Sequence, residues 1–399
     1  MKIKLAKWKD AKQAPVIFMI DDIANVLMKK SFSSSLKIGE DWGHAAMDKN
    51  SMWDFLSKRL LTHFPEIKVT FFLVTGKRVS MREDESHTYA KRMDEDQKFI
   101  NFLHYLDKHP QVELAYHGTT HGEAGQSYED FRQEWETFNT LEEAIARTNE
   151  GIELFKTVLG HYPSGGKYCG YKAGKFGDES IAKTGFKWWS YGEDYLKWDK
   201  DDSNPTYSFD LSMNQGVVNI PTTLDSSTLS LKITNKWYKR KYLKSLYYYL
   251  FRNKTIEKHL ESLYNNQEVI SIYEHTSPYR SDKVIQYPNI VSDIDNLYYL
   301  FSLLSHKDVW YATGEEVANY YLSRENATLK VENSTITLNA NENFESPLSL
   351  VITDTNTSYA LYDMEKTLLT KAIEKSGKQI ITYPFVANQR YQILNKSQT

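Results

Sequence analysis

Val16-Ile17-Phe18-Met19-Ile20-Asp21-Asp22 is an apolar run that stops on two adjacent carboxylates. Runs of about 4–8 apolar, β-forming residues read as strands covered on both faces, and in α/β folds ligands collect where such strands end. Like charges side by side cost free energy unless a cation lies between them or one carboxyl keeps its proton. The doublet therefore reads as acid groups delivered to a site, with capping of the next turn as the plain alternative.

Outward from this strand, residues 23–50 form a long connection, and helical spacing covers about 51–63. Ile67 to Val74 is a second strand, 95–108 a helix, and Val112 to Tyr116 a third strand that ends on His117-Gly118-Thr119-Thr120-His121. The segment 127–159 has helical spacing, as two helices broken near Asn139. A Gly-rich stretch, Gly165 to Gly174, precedes a helix at about 177–184 and a strand from Phe186 to Tyr191. Val217 to Ile220 is another short strand, and 237–266 has helical spacing. Glu268 to Tyr273 is a strand that ends on Glu274 and His275. A helix near 291–305, a strand Val309 to Ala312 and a helix from Gly314 to about Leu322 follow.

Roughly eight strands alternating with helices predict an α/β fold with parallel strands, as an open sheet or a (β/α) barrel. From Glu325 alternation replaces helical spacing, as in Thr328-Leu329-Lys330-Val331 and Thr335-Ile336-Thr337-Leu338, between Asn-rich turns. The expected organisation is a domain over 1–324 and a small antiparallel β-sandwich over 325–399.

With 399 residues, 41% hydrophobic, 25% charged and a formal charge of −3, the composition is that of a soluble globular protein and makes no electrostatic case for nucleic acid. The 28 Tyr, 18 Phe and 9 Trp suit sugar faces and plain cores alike. Cys169 is the single cysteine, so no intrachain disulfide forms and nothing argues for an oxidising compartment. Met1 to Asp10 holds no apolar signal core, and no run approaches the roughly 18 residues of a membrane span, so a cytoplasmic location is expected.

Three strand ends supply ligand-type side chains: Asp21 and Asp22, His117 and His121, and His275. Two imidazoles and one carboxylate make a three-ligand site that leaves a coordination position open. The order of these pieces resembles the polysaccharide deacetylase family of carbohydrate esterases. Its Thr-Phe-Asp-Asp-Gly motif is similar to Met19-Ile20-Asp21-Asp22-Ile23, its His-Ser/Thr-x-x-His to His117-Gly118-Thr119-Thr120-His121, and its Leu-x-His strand end to Tyr273-Glu274-His275. Thr70-Phe71-Phe72-Leu73-Val74 resembles the family's Thr-Phe-Phe strand, and Lys183-Thr184-Gly185-Phe186 its Leu-Gly-Tyr step.

The resemblance covers about 14–322 and implies a distorted (β/α) barrel. It implies Asp21 as general base, Asp22, His117 and His121 as metal ligands, and His275 as general acid. The family's Arg-x-Pro-x-Gly is matched by Lys167-Tyr168-Cys169-Gly170, with lysine, a point charge, in the role of orienting Asp21. Tyr168 and Trp189 are expected as a substrate wall, with Trp188, Asp194 and Trp198 as further candidates, and Asp41, Trp42 and His44 as a lid. The implied activity is metal-dependent removal of the acetyl group from an N-acetylated sugar or oligosaccharide, lipid-linked or free, in surface polysaccharide synthesis. The expected ion is zinc, with cobalt, manganese or nickel as alternatives. The basic and aromatic stretch 236–252 reads as a surface for an anionic inner membrane face, or as a solvated face over an aromatic stripe. Two rival functions stay open: a catalytically silent carbohydrate-binding relative, and a metal-independent glycoside hydrolase using Asp21 and Asp41.

Overall fold

A computed structural model describes residues 2–28, 47, 51–83, 88–194, 208–225, 257–276, 286–353 and 357–395. Two compact units emerge, one comprising Val16–Lys307 with Tyr311–Glu315, the other Met1–Pro15 with Asp308–Trp310 and Glu316–Thr399.

In the larger unit, nine strands matter for the site: β1 (Ala14–Ile23), β2 (Val69–Leu73), β3 (Val112–Tyr116), β4 (Gly165–Lys167), β5 (Trp188–Ser190), β6 (Ser212–Asn214), β7 (Val217–Asn219), β8 (Leu224–Asp225) and β9 (Ile270–His275). Their spatial order is β6-β7-β5-β4-β3-β2-β1-β9-β8. Every pairing along it is parallel except β6 with β7. The chemistry-bearing ends of β1, β3, β4 and β9 thus lie at one end of the sheet. Residues 220–223 run from β7 to β8, which stand near opposite ends of this order. The Ile220 N–H donates to the Trp189 carbonyl (3.0 Å) and the Thr223 N–H to the Ser271 carbonyl (3.3 Å), which ties this run to both β5 and β9.

The apolar character of β1 follows from its central position: all ten of its residues are buried, flanked by β2 and β9. Burying each Ile, Phe or Met there contributes on the order of 1.5–3 kcal/mol. One strand escaped the sequence reading. The Gly165-Gly166-Lys167 segment carries no β-forming side chains, yet it pairs with β5. Its glycines are required because the Trp188 and Trp189 indoles lie where Cβ atoms at Gly165 and Gly166 would stand.

The expected pair of helices over 127–159 is one helix, Leu141–Leu159, capped by the Thr140 hydroxyl, which accepts the Glu143 N–H (3.2 Å), and closed by Gly160 at φ 84°. Before it, 127–139 holds only single turns and the strand Arg132–Gln133, paired with Gly122–Glu123. Two capping boxes, Ser127 with Asp130 and Gln133 with Glu136, each head a single short turn, Tyr128–Asp130 and Glu134–Glu136. Of the helical stretch expected at 237–266, only 257–266 lies among the described residues, helical over 257–265.

The smaller unit is antiparallel. One sheet orders Ile3–Leu5, Leu348–Ile352, Lys378–Tyr383 and Ile373–Lys375, so the N-terminal strand pairs with the C-terminal segment. The other orders Thr328–Glu332, Thr335–Asn339, Arg390–Asn395, Tyr359–Tyr362 and Leu368–Lys371. The alternation seen in the sequence becomes burial of Ile336, Leu338, Tyr391 and Ile393 between exposed or half-buried neighbours.

A buried acid in the larger unit supports the other end of the sheet. Glu113 accepts from the Thr70 hydroxyl (3.0 Å), the Ser164 hydroxyl (3.0 Å) and the Glu315 N–H (3.1 Å) at the start of the helix Gly314–Asn326. Burial lifts its carboxyl from 4.5 to about 7, and Glu315 adds to the rise. Between those values the folded protein holds a proton that the unfolded chain releases, so stability falls as pH rises through the window, by up to ~3 kcal/mol. Glu113→Gln is expected to remove that fall. Denaturant midpoints compared between pH 5 and pH 8 should drop less in the variant than in the wild type, and equal drops would reject the assignment.

Candidate active site

Consecutive residues of a strand point to opposite faces, so Asp21 and Asp22 would separate if β1 ran on regularly. It does not. The pairing with β2 shifts register between Ile20 and Ile23, and Asp22 takes φ 77°, a left-handed value that non-glycine residues seldom adopt. This turn brings both carboxylates, each 2% exposed, into one place.

The loop after β3 supplies the imidazoles. Gly118 (φ 88°) and His121 (φ 70°) are left-handed, and a Cβ at Gly118 would lie 2.7 Å from Glu134 Oε2 and 3.0 Å from Cys169 Sγ. That crowding explains the glycine where the resembling motif has Ser or Thr. Glu134, missed by the sequence reading because its stretch read as helix, is buried beneath this loop. It accepts the backbone N–H groups of Thr119 (2.9 Å), Thr120 (2.7 Å) and His121 (2.7 Å), which fixes the loop's shape.

His117 Nδ1 donates to the Lys167 carbonyl (3.0 Å), which leaves Nε2 as a lone pair. Nε2 lies 3.7 Å from Asp22 Oδ1 and 3.8 Å from Asp21 Oδ2. His121 Nε2 lies 3.2 Å from the same Asp22 Oδ1. Burial holds both imidazoles below their ordinary pKa, with His121 acting next on His117, and Arg78 next on His121. Both are therefore neutral and able to offer lone pairs.

Lys167 replaces the expected arginine and reaches its target: Nζ donates to Asp21 Oδ2 at 2.6 Å, in a fully buried contact. The ammonium also lies 3.5 Å from the Tyr273 ring centre and 4.2 Å from that of Tyr171. Burial lifts the Asp21 carboxyl to about 7, Lys167 pulls it down and Asp22 pushes it up. Burial likewise lowers the Lys167 ammonium against the pull of Asp21.

Asp22 has a different cation, one that no motif signalled. Arg78, 5% exposed in the loop after β2, places Nη1 2.6 Å from Asp22 Oδ1. Burial pushes the Asp22 carboxyl up, but Arg78 and then His121 outweigh it and hold the group well below its ordinary value. Gln286 Nε2 donates to the other oxygen, Oδ2 (3.3 Å).

His275 stands beside Asp21 in the register of β9 against β1. Its Nδ1 donates to the Pro288 carbonyl (2.7 Å), and its Nε2 faces the Tyr273 hydroxyl (2.9 Å). Burial lowers its pKa to about 4, so the ring is neutral and its exchangeable atom is Nε2.

The donor set suits a divalent cation. His117, His121 and Cys169 bring ligand-type atoms within 4.8 Å of one another, a group able to hold a metal ion. The Cys169 thiol donates to the His117 carbonyl (3.0 Å) and burial pushes its pKa well up, so it is a protonated neighbour. Asp22 Oδ1 is the anionic member, buried and met by Arg78 Nη1 (2.6 Å) and His121 Nε2 (3.2 Å). His117 Nε2, and His121 Nε2 in the tautomer protonated on Nδ1, face one carboxylate oxygen as acceptors, a set that could hold a divalent cation.

Six of the residues picked out from the sequence thus come together: Asp21, Asp22, His117, His121, Lys167 and His275. Tyr168 and Trp189 do not form a wall. Both are fully buried in an aromatic cluster with Tyr116, Trp135 and Phe186, and the Tyr168 hydroxyl donates to Asp178 (2.8 Å). Trp188 is buried as well, and Asp194 accepts the Thr222 N–H (3.2 Å). Asp41, Trp42, His44, Trp198 and the stretch 236–252 lie outside the described residues. A cleft of about 580 Å³ lies beside the imidazole loop, lined by Val79, Thr120, Gly122, Glu134, Phe138 and Arg147 among others, and none of the six residues lines it. Among the described residues no helix is long and apolar enough to cross a membrane.

No family model and no curated protein matches the chain. Solved structures do. A probable polysaccharide deacetylase from Pseudomonas aeruginosa PAO1 is 16% identical over 81% of this chain and 95% of its own, with a TM-score of 0.43. The Puue allantoinase is 15% identical over 79% and 92%, also at 0.43. The Bc1960 peptidoglycan N-acetylglucosamine deacetylase is 13% identical over 77% and 88%, at 0.36.

Proposed function

We propose that this chain is a metal-dependent hydrolase that removes the acetyl group from an N-acetylated sugar, built on a distorted (β/α) barrel whose chemistry lies wholly before residue 325. The observation that carries the reading is the division of labour in the acid doublet. Asp22 Oδ1 faces two neutral imidazoles at 3.2 and 3.7 Å, whereas Asp21 is held by a buried ammonium at 2.6 Å. One carboxylate is placed as a ligand with His117 and His121, the other as a base. Two imidazoles and a carboxylate favour zinc. The choice of an N-acetylated sugar, its lipid linkage and a setting in surface polysaccharide synthesis follow from the motif resemblance.

A divalent cation held there would act as a Lewis acid toward the acetamido carbonyl and toward water. The chain's own residues handle the protons. Asp21 Oδ2 stays on Lys167, and Oδ1, buried and without a hydrogen-bond partner among the described residues, is the oxygen that accepts the proton from the attacking water. The departing nitrogen needs a proton in return. Because His275 Nδ1 is committed to the Pro288 carbonyl and the neutral ring carries no proton on Nε2, the Tyr273 hydroxyl that meets Nε2 gives the departing nitrogen its proton, and the proton gained by Asp21 replaces it. Lys167 serves both halves: its side chain orients Asp21, and its carbonyl fixes the His117 tautomer.

Acetate release from N-acetylglucosamine oligomers and from lipid-linked N-acetylated sugars, with zinc, cobalt, manganese or nickel supplied, is the direct assay. Turnover that disappears on chelation and returns with metal is expected; acetate release that survives strong chelation would sink the metal-dependent reading, and none from any acetylated sugar would sink the deacetylase. Asp21→Asn should lower kcat by about 10²–10⁴-fold with metal content unchanged, as for loss of a general base. Tyr273→Phe should lower kcat by about 10-fold or more with KM little changed, if the hydroxyl passes the proton. A wild-type kcat in that variant would leave His275 to act directly.

A further inference from the structure

The oxygen best placed to hold a cation already has one. Asp22 Oδ1 lies 3.2 Å from His121 Nε2, 3.7 Å from His117 Nε2 and 2.6 Å from Arg78 Nη1. Asp22 and Arg78 are nearly fully buried, 3% and 5% exposed at their side chains, so water does little to screen what happens there. Among the described residues each acid of the doublet also faces a cation of the chain, Asp21 facing Lys167 and Asp22 facing Arg78. A divalent ion seated among His117, His121 and Asp22 would add two positive charges next to a guanidinium on the same oxygen. Both could not keep their contact with Asp22 Oδ1 without strong repulsion at low screening.

We propose that Arg78 is the resident counter-ion of Asp22 and competes with the divalent metal for that oxygen, so that metal uptake requires the guanidinium to leave Asp22 and the affinity of the centre is set by this exchange. The inference rests on Asp22, His117 and His121 being the ligands, and not on the identity of the substrate. Arg78 is a positioning residue in this account: it keeps the metal-free site compensated and weakens the hold of the loaded one. A structural role alone would have the opposite sign, since removing a structural support loosens ligands and lowers affinity.

The test is metal binding to the full chain without substrate, with zinc and cobalt titrated into metal-free wild type, Arg78→Met and Arg78→Gln and followed by calorimetry. Both variants are expected to bind one ion at least 10-fold more tightly than the wild type, with lower thermal stability in the metal-free form and a larger gain in Tm on adding metal. Affinity equal to or weaker than that of the wild type in a folded variant overturns the proposal, as does failure of all three proteins to bind. Arg78→Gln keeps a hydrogen-bond donor toward Asp22 and serves if Arg78→Met does not fold. Tighter binding in the variants together with no acetate from any sugar would keep this inference and remove the deacetylase reading, so the two fail separately.

Discussion

Two neighbouring carboxylates are buried in this protein, and everything around them follows from the need to compensate that charge. An uncompensated buried carboxylate costs several kcal/mol, and breaking such a pair by removing its partner costs about 3–5 kcal/mol. Asp21 meets Lys167 and Asp22 meets Arg78, each at 2.6 Å. The pairs are not equivalent. Lys167 leaves the Asp21 carboxyl at about 7, whereas Arg78 and His121 hold Asp22 well below its ordinary value. Burial and partners thus push two adjacent acids apart, one toward keeping a proton and one toward staying charged.

The backbone bears part of the load. Left-handed residues at Asp22, Gly118 and His121 turn side chains toward a common centre that regular strands would scatter. The imidazole loop is held by Glu134 through three N–H groups, and Lys167 links the acid and imidazole halves through two different atoms. A lysine can stand where an arginine is expected because only one carboxylate oxygen needs a donor here, and the aromatic faces of Tyr273 and Tyr171 shelter the rest of the ammonium.

Much of this was legible along the chain. The apolar run into Asp21-Asp22, the strand into His117 and His121, and the strand into His275 carry their ligand-type side chains at their C-terminal ends, and parallel strands bring all such ends to one side of the sheet. The alternation after residue 325 likewise marked antiparallel sheets. What misled were signals with two physical readings. Trp189 and Tyr168 are flat rings with a polar edge, as a sugar platform needs, but a glycine strand packed beneath Trp188 and Trp189 takes the same rings into the core. The spacing at 127–139 reads as helical, but the segment forms single turns that set Glu134 under the imidazole loop, where it accepts three backbone N–H groups.

By itself the sequence determined which residues are capable of the chemistry, and that they arrive at strand ends, because hydrophobic period and strand termination are local properties of the chain. Only the tertiary structure decided which charges meet. Arg78 stands more than fifty residues from Asp22 in a loop with no motif, and Glu134 reaches back to a loop from a stretch that resembles a helix. Their roles come from distance in space and from burial, which turns a 2.6 Å contact that water would otherwise weaken into the balance on which the site depends.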